Sequence, residues 1–263
     1  MKGSRVLAAT LALPAACACA QQIVTLQTRP GVTQSFFIAG MDEASPRAVA
    51  LIYSGGYGAI GLRMEDGGPK FRDGNFLVRS RGEFIRNGVL PVLVDVPSDW
   101  SGGVSDRYRR SDEQTADAHA VLAEIRRRDP AVPVFIVTTS RSTLSGASLG
   151  KALAAGEVAG VVLSSSMVSP GAGWESLVGF DFKALRVPLL FVHHRDDGCI
   201  ATPYYAAASV ARGFPLVSVS GGLPATSGPC EPFAPHGFYG KEAAVVDAIA
   251  AWMLRKPFAT EIH

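Results

Sequence analysis

Six short, almost uninterrupted apolar runs set the terms for this chain: Ala48–Tyr53, Val89–Val96, Val132–Val137, Val158–Ser164, Val187–His193 and Phe214–Ser220. A strand with one wet face alternates apolar and polar residues; a run apolar at both parities must be covered on both sides. Helix-compatible segments lie between most of these runs. Asn75–Asn87 is closed by Gly88. Ser111–Arg128 has Ser111 as candidate N-cap, Asp112 and Glu113 in its first turn and Arg126, Arg127 and Arg128 in its last, as the helix dipole favours. Tyr204–Arg212 and Lys241–Leu254 follow later. Strands alternating with helices imply an α/β fold, a mostly parallel central sheet with helices on both faces. Gln21–Ile38, broken at Pro30-Gly31, reads as an N-terminal hairpin at the sheet edge. Gly61–Gly74 reads as loop, and Ser165–Phe182 as an irregular segment placed to cover a site.

With 263 residues, 48% hydrophobic and 18% charged, the chain is long enough for one large domain. Its first twenty residues do not belong to it. Lys2 and Arg5 precede an apolar stretch, Val6–Ala16, and Ala18-Cys19-Ala20 has the small-x-small form of a cleavage site, so 1–20 reads as a signal peptide and 21–263 as a single exported domain, periplasmic or secreted. The apolar stretch is too short to span a bilayer; acylation at Cys17 or Cys19 is the competing reading. Without Lys2 and Arg5 the mature chain carries 23 basic and 23 acidic residues. That balance offers nucleic acid no electrostatic footing. Cys199 and Cys230 are then the only cysteines left, in a compartment where thiols oxidise, which makes a bridge between them the expectation and two separate buried thiols the alternative.

Residues 132–147 run from an apolar strand into Thr138-Thr139-Ser140-Arg141-Ser142-Thr143 and then a helix-compatible segment. Strand, sharp turn and helix in that order can hold a serine out of the sheet with its hydroxyl free, provided small residues sit two places to either side. Ser142 has Leu144 two places on, and Ser145 lies a helical turn too far from the strand. A Ser/Thr-rich helix cap is the plain alternative. The segment resembles the nucleophile elbow of the α/β-hydrolase family, in a variant whose commoner form reads Gly-Thr-Ser-Arg-Gly. Here Thr138 and Ser142 stand where glycine is usual.

The resemblance implies further assignments. Ser54-Gly55-Gly56-Tyr57-Gly58 sits where the family carries its oxyanion loop, so the backbone N–H of Gly56 or Tyr57, with that of Arg141, is the candidate hole. His194-Arg195-Asp196-Asp197-Gly198 follows the penultimate strand, where the family places its acid; Asp197 is favoured and Asp196 second. His236, in the loop Gly221–Tyr239, is the candidate base. Ser140, Asp197 and His236 come in the family's chain order, each after an expected strand. The implied chemistry is hydrolysis of a small-molecule ester through an acyl-enzyme, or of an amide or peptide with the same residues; a catalytically inactive exported binding protein is the rival from another class. No long helical insertion of the lipase-lid kind is present, which favours small or soluble esters. Trp100 is expected to pack a loop, His119 to be structural or exposed, and His193 and His194 to bond locally. No H-x-x-x-H or paired-cysteine spacing suggests a metal, and no cofactor is expected.

Overall fold

The computed structural model describes residues 21–40 and 45–263; the expected signal peptide at 1–20, with Cys17 and Cys19, lies outside the described residues. In chain order the elements are β1 (Gln22–Arg29), β2 (Val32–Ile38), β3 (Ala48–Tyr53), β4 (Arg63–Glu65), β5 (Gly68–Lys70), α1 (Phe76–Arg79), α2 (Arg81–Arg86), β6 (Val89–Pro97), α3 (Asp112–Arg128), β7 (Val134–Thr139), α4 (Thr143–Ala152), β8 (Gly160–Ser164), β9 (Leu189–His194), α5 (Tyr204–Val210), β10 (Leu216–Val219), α6 (Glu242–Met253) and β11 (Glu261–Ile262).

Nine strands form one sheet in the order β1-β2-β6-β3-β7-β8-β9-β10-β11. β1 pairs with β2, and β2 with β6, antiparallel; from β6 to β11 every pairing is parallel. The edge hairpin turns at Pro30 and Gly31, the glycine at φ +72°, a conformation that a side chain resists.

The six apolar runs are double-faced because two cores use alternate residues of each strand. Val49, Leu51, Val134, Ile136, Val161, Leu163 and Phe191 pack with α3 and α4. Ala50, Ile52, Phe135, Val137, Val162, Leu190 and Val192 pack with α1, α2 and α6. α3 begins at Ser111, whose side chain accepts the Gln114 N–H, and buries Gln114, Asp117, Ala118, Val121, Leu122 and Ile125, a stripe of helical period.

Three expectations need correction. Asn75–Asn87 is not one helix: α1 and α2 are separated at Ser80 (φ −88°, ψ 10°), with Asn75 capping the first and Gly88 closing the second at φ +75°. Gly61–Gly74 is not all loop; Arg63–Lys70 forms a hairpin over Asp66-Gly67, both at positive φ. Asp-Gly is a strong hairpin signal, though no alternating flank accompanies it here. The last strand is β11, not β10; two residues pairing parallel with β10 are too short for any periodicity to mark.

From β3 the chain goes to β6 on one side and then crosses back to β7 on the other. The segments leaving β3 and β7 therefore diverge to opposite faces: α1 and α2 into one core, α4 into the other. A crevice opens between such segments at the carboxyl edge of the sheet.

Candidate active site

Ser140 directly follows β7 and opens a short 3-10 turn (Ser140–Ser142) that leads into α4. Its φ is +55°, a left-handed conformation that costs a non-glycine residue about 1 kcal/mol or more. Surrounding bonds hold it there. The Ser142 hydroxyl accepts the Thr139 N–H at 2.9 Å and lies 2.7 Å from the Tyr53 carbonyl, lashing the turn to the end of β3; Thr143 Oγ1 donates to the Ser140 carbonyl at 2.7 Å. Ser142 is thus a polar tie as well as a small residue.

The three candidate side chains meet. Ser140 Oγ is 3.0 Å from His236 Nε2, and His236 Nδ1 is 3.0 Å from Asp197 Oδ2 and 3.3 Å from Oδ1. The carboxylate is fully buried and also accepts the Cys199 N–H at 2.9 Å and the Thr202 hydroxyl at 2.7 Å. A carboxylate only accepts, so Nδ1 carries the proton and Nε2 is left as acceptor for the serine hydroxyl. Asp196 is elsewhere: its side chain is 70% exposed and no closer than 3.9 Å to His194.

His236 sits in a 3-10 turn (Pro235–Gly237) between β10 and α6. Two residues that sequence reasoning missed fix that turn. Arg79 donates to the carbonyls of Gly74, Pro232 and Gly237 at 2.8, 3.0 and 2.7 Å while pairing with Glu242. The Ser165 hydroxyl donates to the His236 carbonyl at 2.8 Å. Any side chain at Gly237 would strike the Pro232 carbonyl. The Cys199–Cys230 disulfide is present and ties the Asp197 turn to the loop that carries His236.

His193 and His194 both take structural hydrogen bonds, of which only one is local in the chain as expected. His194 Nδ1 accepts the Asp196 N–H and Nε2 reaches the Gly221 carbonyl. His193 is buried, its Nε2 accepts the Ser166 N–H at 2.9 Å, and desolvation pushes its pKa down to about 4. Trp100 packs against Tyr108 with ring centroids 5.6 Å apart and the planes tilted by 45°, and His119 pairs with Glu157 on the surface.

A cleft of about 440 Å³ opens over Ser140 and His236, walled by Ser54–Ile60, by Arg72 and Gly74–Phe76, and by Cys230–Pro232. Residues 165–182 are absent from its walls, contrary to the expectation that they cover the site. Their backbone instead meets Asp106, which accepts the Glu175 N–H.

No family model and no curated protein matches this chain. Solved structures do. It is similar to a lidless α/β serine hydrolase from Xanthomonas campestris (TM-score 0.56, 14% identity, 89% of this chain and 94% of that one). A serine hydrolase homologue from Coxiella burnetii is similar over 89% of this chain and 96% of its own (TM-score 0.57, 15% identity). The third is Est1E from Butyrivibrio proteoclasticus, solved with ferulic acid (TM-score 0.58, 13% identity, 89% and 98%). This chain has the α/β-hydrolase fold.

Within the α/β-hydrolase fold the departure from glycine at Thr138 has a local explanation. The close approach of strand and helix is supplied from the helix: a Cβ on Gly146 would stand 2.7 Å from Thr138 Oγ1 and 2.8 Å from Leu163 Cδ2, and one on Gly150, a turn later on the same face, 2.9 Å from Val161. Thr138 Oγ1 in turn donates to the Val162 carbonyl at 2.8 Å. Gly55, on the other side, lets β3's loop reach the elbow, since a Cβ there would lie 3.1 Å from that of Ser140.

Proposed function

We propose that this chain is an exported serine hydrolase that cleaves carboxylic esters of small or soluble substrates. One observation carries the reading: Ser140, held at φ +55°, faces His236 Nε2 at 3.0 Å while Nδ1 of the same ring is held on buried Asp197. A serine hydroxyl alone is a poor nucleophile at neutral pH. His236 takes its proton as Ser140 Oγ bonds to the ester carbon, and Asp197 orients the ring and stabilises the imidazolium. The carbonyl oxygen becomes an oxyanion beside the loop Gly55–Gly58 and the Arg141 N–H, which lies in the first turn of a helix where N–H groups have no helical acceptor. Collapse expels the alcohol, which receives the proton from His236. Water, deprotonated by the same imidazole, then releases the acid and restores Ser140.

The similar structures from Xanthomonas, Coxiella and Butyrivibrio support the class, being described as serine hydrolases or solved with a phenolic acid. The open cleft suits small substrates. Export rests on the leader at 1–20 and on the disulfide, a bond that persists in oxidising compartments; no described helix is long and apolar enough to cross a membrane. The test is hydrolysis of short-chain p-nitrophenyl esters. Ser140→Ala should abolish it, together with fluorophosphonate labelling, while circular dichroism stays native; full residual turnover in the variant would remove Ser140 from the reaction.

A further inference from the structure

Arg109 is a costly group to bury. Long cations are almost never fully buried unless paired, yet Arg109 is 1% exposed and makes no ion pair among the described residues. Its Nη2 donates to the Gly56 carbonyl at 2.8 Å, its Nη1 to Ser145 Oγ at 3.3 Å, and its Nε has no partner. Desolvation lowers its pKa to about 10, which leaves it charged at neutral pH.

What it grips is the loop beside the nucleophile. Three successive carbonyls of that loop are tied down: Gly55 accepts the Gly58 N–H at 3.0 Å, Gly56 accepts Arg109, and Tyr57 accepts the Val104 N–H at 2.8 Å. The N–H groups of Gly56 and Tyr57 donate to nothing among the described residues. In a planar trans peptide the C=O and N–H point in opposite directions. Gly56 and Tyr57 line the cleft and Arg109 does not, so drawing the Gly56 carbonyl back towards Arg109 turns the Tyr57 N–H outward, into the cleft. The second donor is coupled to the first: the Arg141 guanidinium lies 5.6 Å over the Tyr57 ring and is clamped by Asp106 at 2.6 and 3.0 Å.

We infer that Arg109 is the positioning residue of the oxyanion site, holding the Gly56 carbonyl so that the Tyr57 N–H, rather than that of Gly56, meets the developing negative charge. This rests on the serine-hydrolase reading above. A cation on the carbonyl end of that peptide also strengthens its N–H as a donor, because the two ends polarise together.

The experiment compares full-length wild type, Arg109→Met, Arg109→Lys and Tyr57→Pro in steady-state hydrolysis of p-nitrophenyl butyrate and in the rate of fluorophosphonate labelling, with thermal melts as the folding check. Losing an oxyanion donor costs on the order of 10²–10³ in kcat, and Tyr57→Pro, which deletes the N–H, should approach that. Arg109→Met should lower kcat roughly ten- to a hundredfold with KM within about twofold, and Arg109→Lys should recover part of the loss. Labelling should slow in parallel. If Arg109→Met fails to fold, Tyr57→Pro decides. A folded Tyr57→Pro with wild-type kcat, or an Arg109→Met whose loss lies only in KM, overturns the assignment while leaving the serine-hydrolase reading intact. A wild-type chain that turns over no ester and takes no label overturns both.

Discussion

If α4 approaches the sheet because Gly146 makes room for Thr138, then adding one methyl at 146 should destabilise the chain only while Thr138 is there. In Gly146→Ala the new Cβ lies 2.7 Å from Thr138 Oγ1, 3.0 Å from its Cγ2 and 2.8 Å from Leu163 Cδ2, roughly 1 Å inside the favourable separation of about 3.5–4.0 Å. Thr138 yields poorly: it is fully buried, its Oγ1 is committed to the Val162 carbonyl, and a β-branched χ1 is stiff. Overpacking of this kind costs about 1–3 kcal/mol, against about 1 kcal/mol gained from replacing glycine by alanine within a helix. The single variant should therefore be less stable by about 1 kcal/mol. Thr138→Ala removes both threonine atoms from the clash and leaves the movable end of Leu163. In that background Gly146→Ala should stabilise by up to about 1 kcal/mol. Urea unfolding of the four proteins of the cycle measures the difference, a coupling of about 2 kcal/mol. A coupling below about 0.5 kcal/mol, the ordinary scatter of additivity, would show that this contact does not set the approach.

Asp197→Asn should lower kcat by about 10⁴ by presenting the wrong tautomer of His236, whereas Asp196→Asn should stay within about twofold, because its side chain faces solvent; the reverse ranking in ester turnover would reassign the acid. Reduction of Cys199–Cys230, 31 residues apart, should cost about 3–4 kcal/mol of stability in the chain-entropy model and lower turnover, since both ends adjoin the candidate site; two titratable thiols in the native protein would refute the bridge. His193 has a folded pKa of about 4 against 6.5 for the free side chain. Between those values the unfolded chain binds the proton and the folded one does not. Stability should therefore fall as pH drops from about 6.5 to 4, by on the order of 3 kcal/mol in total. His193→Gln should flatten urea midpoints across that window; an unchanged slope would place the titration elsewhere.

The sequence by itself determined the architecture and the identity of the converging side chains. Apolar runs filled at both parities admit only a strand covered on two faces, and Ser140, Asp197 and His236 each follow such a strand, so their common edge was readable before any distance was known. It also favoured Asp197 over Asp196 for the place beside His236, and paired Cys199 with Cys230. Neither the partition of Asn75–Asn87 at Ser80 nor β11 was readable, since a change at one residue and a pair of two residues leave no periodic trace.

What only the tertiary structure decided is how the site is held. Arg79 grips the His236 turn from a helix 157 positions earlier in the chain, Arg109 donates to the Gly56 carbonyl, and Gly146 supplies the room that glycine at Thr138 would have given. Each of these depends on a backbone carbonyl or a missing Cβ meeting a residue far along the chain, and one-dimensional spacing carries no information about which carbonyl a buried arginine will face.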